Sequence, residues 1–531
     1  MPISLRLGGE AFDFSKTFAF MKTREQKNCI PESDFRERMR GPMVLEELLP
    51  EGCEFHGDRS LFVNDLVTDS RRVTPGSLFF AFAGDRTDGN KYIDEAIERG
   101  AAGVVTAESL PDISNVASIK VTDARVALAR FARRYHGWPD THLRVAGVTG
   151  TNGKTTVTSL ARHLMERPGR PVGLVGTVRY NLGDREVPSF KTTPESADLY
   201  AMLRSMLAAG CAEAVMEVSS HGIHQSRVSG LRMEVATFLN LSRDHLDYHG
   251  DMEEYFAQKS AIFNGQNGTL PKAAVVNGDC PYGRRLLEEM PTPIRSITFG
   301  EEPGNDFRVR EVSLSSDGSE FVLDSPTGSM VIRSPMLGRY NVMNVAASLA
   351  IVHALGFSVS KVVHKVGSFK GVDGRMEPVE NGQRYKVLVD YAHTPDALRN
   401  ALGMLREFTL GKLHLVFGCG GDRDRGKRLE MTRVACAGAD ESWATSDNPR
   451  TEMQEDIFSD MRKGLPKRSK INFIMDRRRA ISLALDASRE GDCLLIAGKG
   501  HETYQEVQYT CIPFDDRLVA EELLHAKQLN F

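Results

Sequence analysis

The hydrophobic pattern near residue 150 predicts a strand, a polar loop and a helix in direct succession. The segment 143–148 is mostly apolar and short enough for a buried strand. After the polar residues that follow, apolar side chains recur with helical spacing at Val157, Leu160, Ala161 and Leu164. This order of elements is typical of a loop that binds a ligand at the carboxyl end of a strand.

The same alternation of apolar strands and amphipathic helices runs through the rest of the chain and predicts an α/β protein in several units. We predict a front unit at 43–140, a central unit at 141–372 and a closing unit at 373–531. Residues 1–42 mix charges with isolated aromatics and show no period, so we expect a poorly ordered extension whose deletion leaves activity intact. In the closing unit each apolar strand ends in glycine or polar residues, which favours a parallel sheet with ligands at one edge.

Composition excludes several classes of function. The 531 residues carry a net charge of -4, which gives no basic field for nucleic acid. No apolar run approaches the length of a membrane span, and the start lacks an export signal, so we expect no membrane insertion and a cytoplasmic location. The eight cysteines include no CxxC pair, which indicates reduced thiols rather than disulfides or a cysteine zinc site.

The polar loop itself, GVTGTNGKTT at 147–156, has the residues of a phosphate-binding loop. Its glycines let backbone N–H groups surround phosphates, Lys154 supplies a positive charge, and Thr155 offers a hydroxyl to Mg²⁺. A glycine-rich turn without a ligand is the alternative, and the flanking strand and helix argue against it. The glycine spacing differs from the standard P-loop and resembles that of the Mur ligases and their folylpolyglutamate synthetase relatives. That resemblance implies nucleotide contacts at Gly150, Thr151, Asn152, Gly153, Lys154, Thr155, Thr156, Asn341, Asn344 and Arg375.

Acidic and histidine residues follow the predicted strands of the central unit. Glu217 ends an apolar run, where a carboxylate would face the Mg²⁺ of a nucleotide. His245 and His249 lie four residues apart, a spacing that suggests zinc, but neither an HExxH motif nor a cysteine partner accompanies them. We therefore favour Mg²⁺ with oxygen ligands, and the resemblance assigns metal contacts to Glu217 and His245.

Lys259 has two interpretations. Composition alone favours a solvated lysine on a helix. Its distance past the DHLDYHG segment resembles that of the carbamylated lysine of Mur ligases, which implies that it carries a carbamate and helps to hold the metal.

The substrate residues are weaker signals individually. Ser70 and Arg71 follow a predicted strand, and on composition a surface hairpin is favoured there. The resemblance implies instead that Ser70 holds the uridine end of a UDP-linked substrate. It also implies that a muramoyl-dipeptide is held by Thr192, Thr193, Ser219, Gln225 and Arg227.

The closing unit carries the sequence SDNPRTE after a predicted strand. On composition this is an ordinary turn. Together with other residues it resembles the pattern of Mur ligases that add meso-diaminopimelate, which implies amino-acid contacts at Arg423, Asp447, Asn448, Pro449, Arg450, Gly498 and Glu502. The distal carboxylate of diaminopimelate suits paired guanidinium groups, and we expect lysine to leave both arginines desolvated and unpaired.

Taken together, the resemblance implies the three-domain Mur ligase architecture, with a central P-loop ATPase domain and a Rossmann-like C-terminal domain. The implied reaction joins meso-diaminopimelate to UDP-N-acetylmuramoyl-L-alanyl-D-glutamate through an acyl phosphate, with ATP as co-substrate and Mg²⁺ as cofactor, in peptidoglycan synthesis. It serves cell wall biogenesis, cell shape and cell division, and we expect a monomer. The catalytic residues implied are Lys154, Glu217, His245 and Lys259. Two alternatives are a lysine-adding or folylpolyglutamate-type ligase, and an ATP-binding partner protein without catalysis.

Overall fold

The computed structural model describes residues 41–50, 53–84, 87–109, 116–467 and 471–528. The predicted extension at 1–42 lies almost entirely outside these residues. Within them, each of three large sheets falls inside one of the three proposed units. None of the described helices is long and apolar enough to cross a membrane.

The front unit contains a five-stranded sheet. Its strands lie side by side in the order Glu54–His56, Ala117–Lys120, Gly103–Thr106, Ser77–Phe80 and Asp65–Val67. The first pair is antiparallel and the others are parallel. A second, two-stranded sheet joins Met43–Val44 to Phe62–Val63. The helices, of which the second and third are 3₁₀ turns, are Leu45–Leu48, Ser70–Arg72, Gly89–Tyr92, Ile93–Glu98 and Ala124–Tyr135. Ser70 therefore begins a helical turn after a strand, not the hairpin that composition favoured.

The central unit is built on an eleven-stranded sheet. Its strands lie in the order Glu186–Pro188, Arg179–Asn181, Gly173–Val175, Glu213–Glu217, Arg144–Thr149, Val235–Phe238, Ala273–Asn277, Arg295–Gly300, Phe307–Ser315, Gly318–Ser325 and Gly328–Ser334. Strands Gly173–Val175 to Phe307–Ser315 are parallel, and antiparallel hairpins extend both edges. The strand-helix alternation predicted the parallel core, but the hairpins were not predicted.

Helices cover the faces of this sheet, and two short 3₁₀ turns, Pro139–Thr141 and Val363–Ser368, flank it. The helices are Lys154–Met165, Ser196–Ala208, Ser220–His224, Leu246–His249, Met252–Ser260, Pro281–Glu289, Arg339–Ala354 and Val359–Val362. The predicted apolar face of Lys154–Met165 is fully buried, and this helix packs against Arg339–Ala354. That packing fixes the start of the helix, and thus the end of the glycine loop.

The closing unit has a six-stranded sheet. Its strands lie in the order Glu377–Pro378, Lys386–Asp390, Cys493–Ala497, Leu413–Cys419, Glu441–Ser446 and Ile471–Ile474. All pairs except the first are parallel, as predicted. Its helices are Pro395–Phe408, Gly426–Gly438, Gln454–Arg462, Arg477–Ala487 and Asp516–Gln528, and a hairpin joins Tyr504–Val507 to Thr510–Pro513. The strand order brings loops that are far apart in sequence to one edge.

The front and central units share one hydrophobic core. Helix Ala124–Tyr135 packs against Ser196–Ala208, and their buried apolar side chains belong to a single cluster. The closing unit buries its apolar residues in two clusters of its own. The boundary that we propose near residue 140 is therefore a packed junction, whereas the one near 372 separates distinct cores.

Candidate active site

The glycine loop turns between strand Arg144–Thr149 and helix Lys154–Met165. Gly150 and Gly153 have φ angles of 150° and 90°, which residues other than glycine rarely adopt. A Cβ atom at Gly153 would also lie only 2.5 Å from Asn344 Oδ1. Glycine is therefore required at residue 153 both by backbone angle and by space.

Lys154 is folded back on this loop. Its Nζ donates to the carbonyl oxygens of Gly150 at 2.8 Å and Thr151 at 2.9 Å. Burial lowers the pKa of Lys154, and the Glu217 carboxylate opposes that shift. A buried cation at a helix N-terminus favours an anion bound beside it, as a phosphate-binding loop requires.

Glu217 lies at the end of strand Glu213–Glu217 and is 1% exposed. Its carboxylate accepts hydrogen bonds from Thr155 Oγ1 at 3.0 Å, from Thr177 N at 2.7 Å and from Thr177 Oγ1 at 3.0 Å. Sequence reasoning missed Thr177. It follows strand Gly173–Val175, the sheet neighbour of the strand that carries Glu217, so the rule that ligands gather at strand ends would have found it.

Lys259 is 1% exposed, so the interpretation as a solvated helix lysine is wrong. Its Nζ donates to Gly150 O at 3.1 Å, the same carbonyl oxygen that Lys154 contacts. Burial lowers the pKa of Lys259 far below its usual value, and the charge of Lys154 adds to that effect. Burial and the nearby Lys154 charge thus both oppose a positive charge on Lys259 beside the glycine loop.

His245 lies on the same side of the sheet, in a left-handed backbone conformation with φ 53°. Its ring is 4.8 Å from that of His221 between centroids, and its Nε2 is 3.4 Å from Asp244 Oδ2. Among the described residues, no group of three or more His, Cys, Asp or Glu side chains is arranged to hold a metal ion. The hydroxyl of Thr155 and the carboxylate of Glu217 are nevertheless an oxygen set that fits Mg²⁺, which takes few protein ligands beside phosphate and water.

A cavity of about 1620 Å³ lies between the central and closing units. The predicted residues that line it are Thr151, Asn152, Gly153, Lys154, Thr155, Thr156, Thr192, Glu217, Ser219, His245, Asn341, Asn344 and Arg375. Arg375 comes from the closing unit, and its Nη2 is 3.4 Å from Thr155 Oγ1 while its guanidinium stacks 4.6 Å from the Tyr391 ring centre. One cavity thus combines the glycine loop with an arginine of the next unit.

The residues proposed to hold the dipeptide form a bonded group beside the cavity. Thr193 Oγ1 donates to Glu217 O at 3.0 Å and contacts Ser219 Oγ at 3.1 Å, while Arg227 Nη1 donates to Thr193 O at 2.9 Å. Arg227 also bonds Gln225. Ser70 is separate: it is buried in the front unit and its hydroxyl donates to Glu95 Oε2 at 2.9 Å.

The predicted amino-acid residues meet at the edge of the closing sheet, but none of the seven lines the cavity. A Cβ atom at Gly420 would lie 3.0 Å from Arg450 Nη1 and 3.8 Å from Arg423 Cγ, so the two arginine side chains converge there. Asn448 Nδ2 donates to Glu502 Oε2 at 2.8 Å. Gly498 has a φ of 115°, and a Cβ there would lie 2.6 Å from Asp447 Oδ2. Pro449 O packs against Gly421, where a Cβ would lie 1.9 Å away.

Our expectation that both arginines stay unpaired without a distal carboxylate is wrong for Arg450. Its Nε donates to Glu506 Oε2 at 2.9 Å and its Nη1 to Gly421 O at 2.8 Å. Arg423 is exposed, so it is not desolvated either. Glu506 comes from the hairpin at 504–513, which sequence reasoning had not predicted.

Three family models match the chain in succession. They are the Mur ligase family, catalytic domain at residues 63–136, the Mur ligase middle domain at 148–352, and the Mur ligase, glutamate ligase domain at 374–500. The chain belongs to the Mur ligase family. The three-domain architecture that the motifs implied, with its central ATPase domain and Rossmann-like closing domain, is confirmed.

Relatives of this Mur ligase are similar to it in sequence along almost the whole chain. A protein of Geobacillus thermodenitrificans is 43% identical over 90% of this chain and 98% of its own, and one of Solibacter usitatus is 42% identical over 87% and 93%. Both are named UDP-N-acetylmuramoyl-L-alanyl-D-glutamate--2,6-diaminopimelate ligase. A solved structure with that name is 33% identical, covers 92% of this chain and 99% of its own, and superposes with a TM-score of 0.65.

Proposed function

We propose that this Mur ligase adds meso-diaminopimelate to the D-glutamate of UDP-N-acetylmuramoyl-L-alanyl-D-glutamate at the expense of ATP. The observation that carries the proposal is that two arginines and two carboxylates lie close together at one edge of the closing sheet. Arg423 and Arg450 converge on one side, and Asp447 and Glu502 lie beside them. The distal end of diaminopimelate carries both a carboxylate and an ammonium group, so it complements this arrangement.

Arg450 would bind the distal carboxylate through the N–H groups that are not used in its bonds to Glu506 and Gly421. The ion pair with Glu506 and the bond to Gly421 O use Nε and one N–H of Nη1 and hold the guanidinium plane in place. Because that pairing persists without substrate, we expect weaker discrimination against lysine than two unpaired arginines would give.

Activation of the D-glutamate carboxylate would take place in the cavity. The glycine loop and Lys154 would hold the phosphates of ATP, Asn341 and Asn344 would contact its nucleoside, and Arg375 would approach from the closing unit. Thr155 and Glu217 would hold Mg²⁺, with His245 on the same wall, and the bound metal would neutralise phosphate charge. The carboxylate attacks the γ-phosphorus, ADP leaves, and an acyl phosphate results.

Lys259 would act as a carbamate. Its amine and that of Lys154 bond to the same carbonyl oxygen, so two cations would be crowded in a buried space. An uncharged amine can add CO₂ and release a proton, which replaces that repulsion by attraction between a carbamate anion and Lys154 or a metal.

The second half of the reaction needs the closing unit to approach. The amino-acid residues lie outside the cavity, whereas the residues that would hold the dipeptide lie beside it. Closure would bring the diaminopimelate amine to the acyl phosphate carbon, where attack expels phosphate. The wall of the nucleotide site already spans the same two units, because Arg375 bonds Thr155.

We propose that the reaction belongs to cytoplasmic peptidoglycan precursor synthesis, in support of cell wall growth and division. Ser70 would contribute to the uridine end in the front unit. We propose that a single chain with units at 43–140, 141–372 and 373–531 suffices, as a monomer, because one chain supplies every residue named.

The test is incubation of the purified protein with ATP, Mg²⁺, the UDP-linked dipeptide and meso-diaminopimelate, followed by mass spectrometry. We expect a product whose mass equals that of the two substrates less water, with one ADP formed for each product. Absence of that product, or ADP formation independent of the amino acid, would overturn the proposal.

A further inference from the structure

Lys499 lies in the turn that follows strand Cys493–Ala497 and is completely buried. It is a neighbour of Gly498 and Glu502 in sequence, yet no motif pointed to it. A fully buried lysine is rare and needs partners that compensate the loss of water. Its partners are residues of the proposed amino-acid site.

The ammonium group of Lys499 joins two segments of the sheet edge. Its Nζ donates to Asn448 Oδ1 at 3.1 Å and to Glu502 Oε2 at 3.0 Å. Asn448 belongs to the loop after strand Glu441–Ser446, which is separated from the strand before Lys499 by Leu413–Cys419. The lysine therefore bridges the gap across one intervening strand.

Asn448 makes three hydrogen bonds within this bridge. Its Oδ1 accepts from Lys499 Nζ and from Glu506 N at 3.0 Å, and its Nδ2 donates to Glu502 Oε2 at 2.8 Å. Both acceptor positions of the amide oxygen are therefore used within the protein. Through its bond to Lys499, this amide fixes the loop after strand Glu441–Ser446 relative to Lys499.

Glu502 is held through one oxygen. Among the described residues, the hydrogen bonds given to its side chain, from Lys499 and Asn448, both reach Oε2. Oε1 accepts neither of these bonds and the side chain is 18% exposed, so we infer that Oε1 is the oxygen that a donor from outside reaches. A carboxylate fixed at one oxygen and open at the other suits the ammonium group of an amino acid.

The charges agree with this geometry. Burial raises the pKa of Glu502, the Asp447 carboxylate raises it further, and Lys499 opposes both. Arg477 also faces the cluster, but Asp516 pairs with it at 2.6 Å and both side chains are fully buried. Lys499 is thus the cation in direct contact with Glu502.

We propose that Lys499 is a positioning residue for amino-acid binding: it orients Glu502 and Asn448 so that the free carboxylate oxygen of Glu502 meets the ammonium group of the incoming amino acid. The inference rests on the proposed function. It adds to that function a residue that touches no substrate and acts through the two residues it bonds.

The test compares Lys499→Met with Lys499→Arg, and uses Lys463→Met as the matched control, since Lys463 is exposed and pairs with Asp460. Ligation is measured at varied diaminopimelate with ATP and the UDP-linked dipeptide saturating. We expect Lys499→Met to raise the KM for diaminopimelate about 10- to 100-fold, which corresponds to the loss of one hydrogen bond to a charged group. The kcat should stay within about threefold of that of the unchanged enzyme. Lys499→Arg should recover part of the loss, because it restores charge and a donor.

A double-mutant cycle with Glu502→Gln separates positioning from general damage. If Lys499 acts through Glu502, adding Lys499→Met to Glu502→Gln raises the KM by less than about threefold. The inference would be overturned if the effects of the two substitutions on the KM for diaminopimelate multiplied. It would also be overturned if Lys499→Met left that KM unchanged, or raised the KM values for ATP and diaminopimelate equally. Should Lys499→Met fail to fold, Lys499→Gln enters the same cycle and is judged in the same way. Failure of the unchanged enzyme to use diaminopimelate would instead refute the proposed function.

Discussion

The loops that we propose to bind the nucleotide and the amino acid both follow the carboxyl ends of parallel strands, but they are held in place by different groups. The nucleotide loop, at 150–154, depends on its backbone: glycines at positive φ and carbonyl oxygens that hold Lys154 and Lys259. The amino-acid loop, at 446–450, is held by side chains from elsewhere, chiefly Lys499, Glu502 and Glu506. We propose that backbone geometry recognises the phosphates, which many nucleotides share, whereas the charged side chains select one amino acid.

The largest expected effect is in the nucleotide loop. Lys154→Ala should lower kcat by about 10³-fold or more, because phosphoryl transfer depends on charge stabilisation. Since burial lowers the pKa of Lys154, its charged form costs folding free energy, and the variant should unfold at the same or a higher temperature. Steady-state ligation and a thermal melt check both. Near-normal turnover would remove the loop from the mechanism.

Lys259→Ala should lower activity by about 100-fold, because a charge beside the phosphates is lost. If the lysine is a carbamate, short-chain carboxylic acids should restore part of the rate to Lys259→Ala and none to Lys154→Ala, which serves as the control. A rate equal to that of the unchanged enzyme, without any addition, would mean that Lys259 has no part in catalysis.

Arg450→Ala tests the side-chain half of the comparison. We expect the KM for diaminopimelate to rise about 10- to 100-fold, through loss of a charge-assisted bond to the distal carboxylate. The KM values for ATP and the UDP-linked dipeptide should change little, since those ligands contact other units. An unaltered KM for diaminopimelate would favour the lysine-adding alternative.

The smallest effect is expected for Thr177→Val. This change removes one of three donors to the Glu217 carboxylate while keeping the side-chain shape and the backbone N–H bond. The Mg²⁺ concentration needed for half-maximal rate should rise by about tenfold or less. A titration with Mg²⁺ measures it, and no change would show that Thr177 does not tune the carboxylate.

Local pattern sufficed to predict the strand, glycine loop and helix near residue 150 and the parallel strands. The spacing of Val157, Leu160, Ala161 and Leu164 corresponds to one buried helix face. The glycines of the loop are close together in sequence, so their spacing can be read without knowledge of the fold. Lys499 and Glu506 could not be found this way, because their partners are set by strand order. Strand Cys493–Ala497 lies between two strands that precede it by about 80 to 110 residues, and sequence gives no such order. Composition alone misjudged the burial of Lys259 for a similar reason, because its partner Gly150 is 109 residues away in sequence.

Competition between meso-diaminopimelate and L-lysine tests the central claim most directly. The enzyme is supplied with both amino acids at equal concentration, together with ATP, Mg²⁺ and the UDP-linked dipeptide, and the two products are separated by mass. Because Arg450 keeps Glu506 as a partner when lysine binds, we expect a preference of at least about 100-fold, below the roughly 10⁴-fold of a site whose polar groups are left unpaired. Diaminopimelate product alone, or in at least that excess, is the predicted result. Comparable amounts of the two products would contradict the assignment of Arg423, Arg450, Asp447 and Glu502 to the distal end of diaminopimelate.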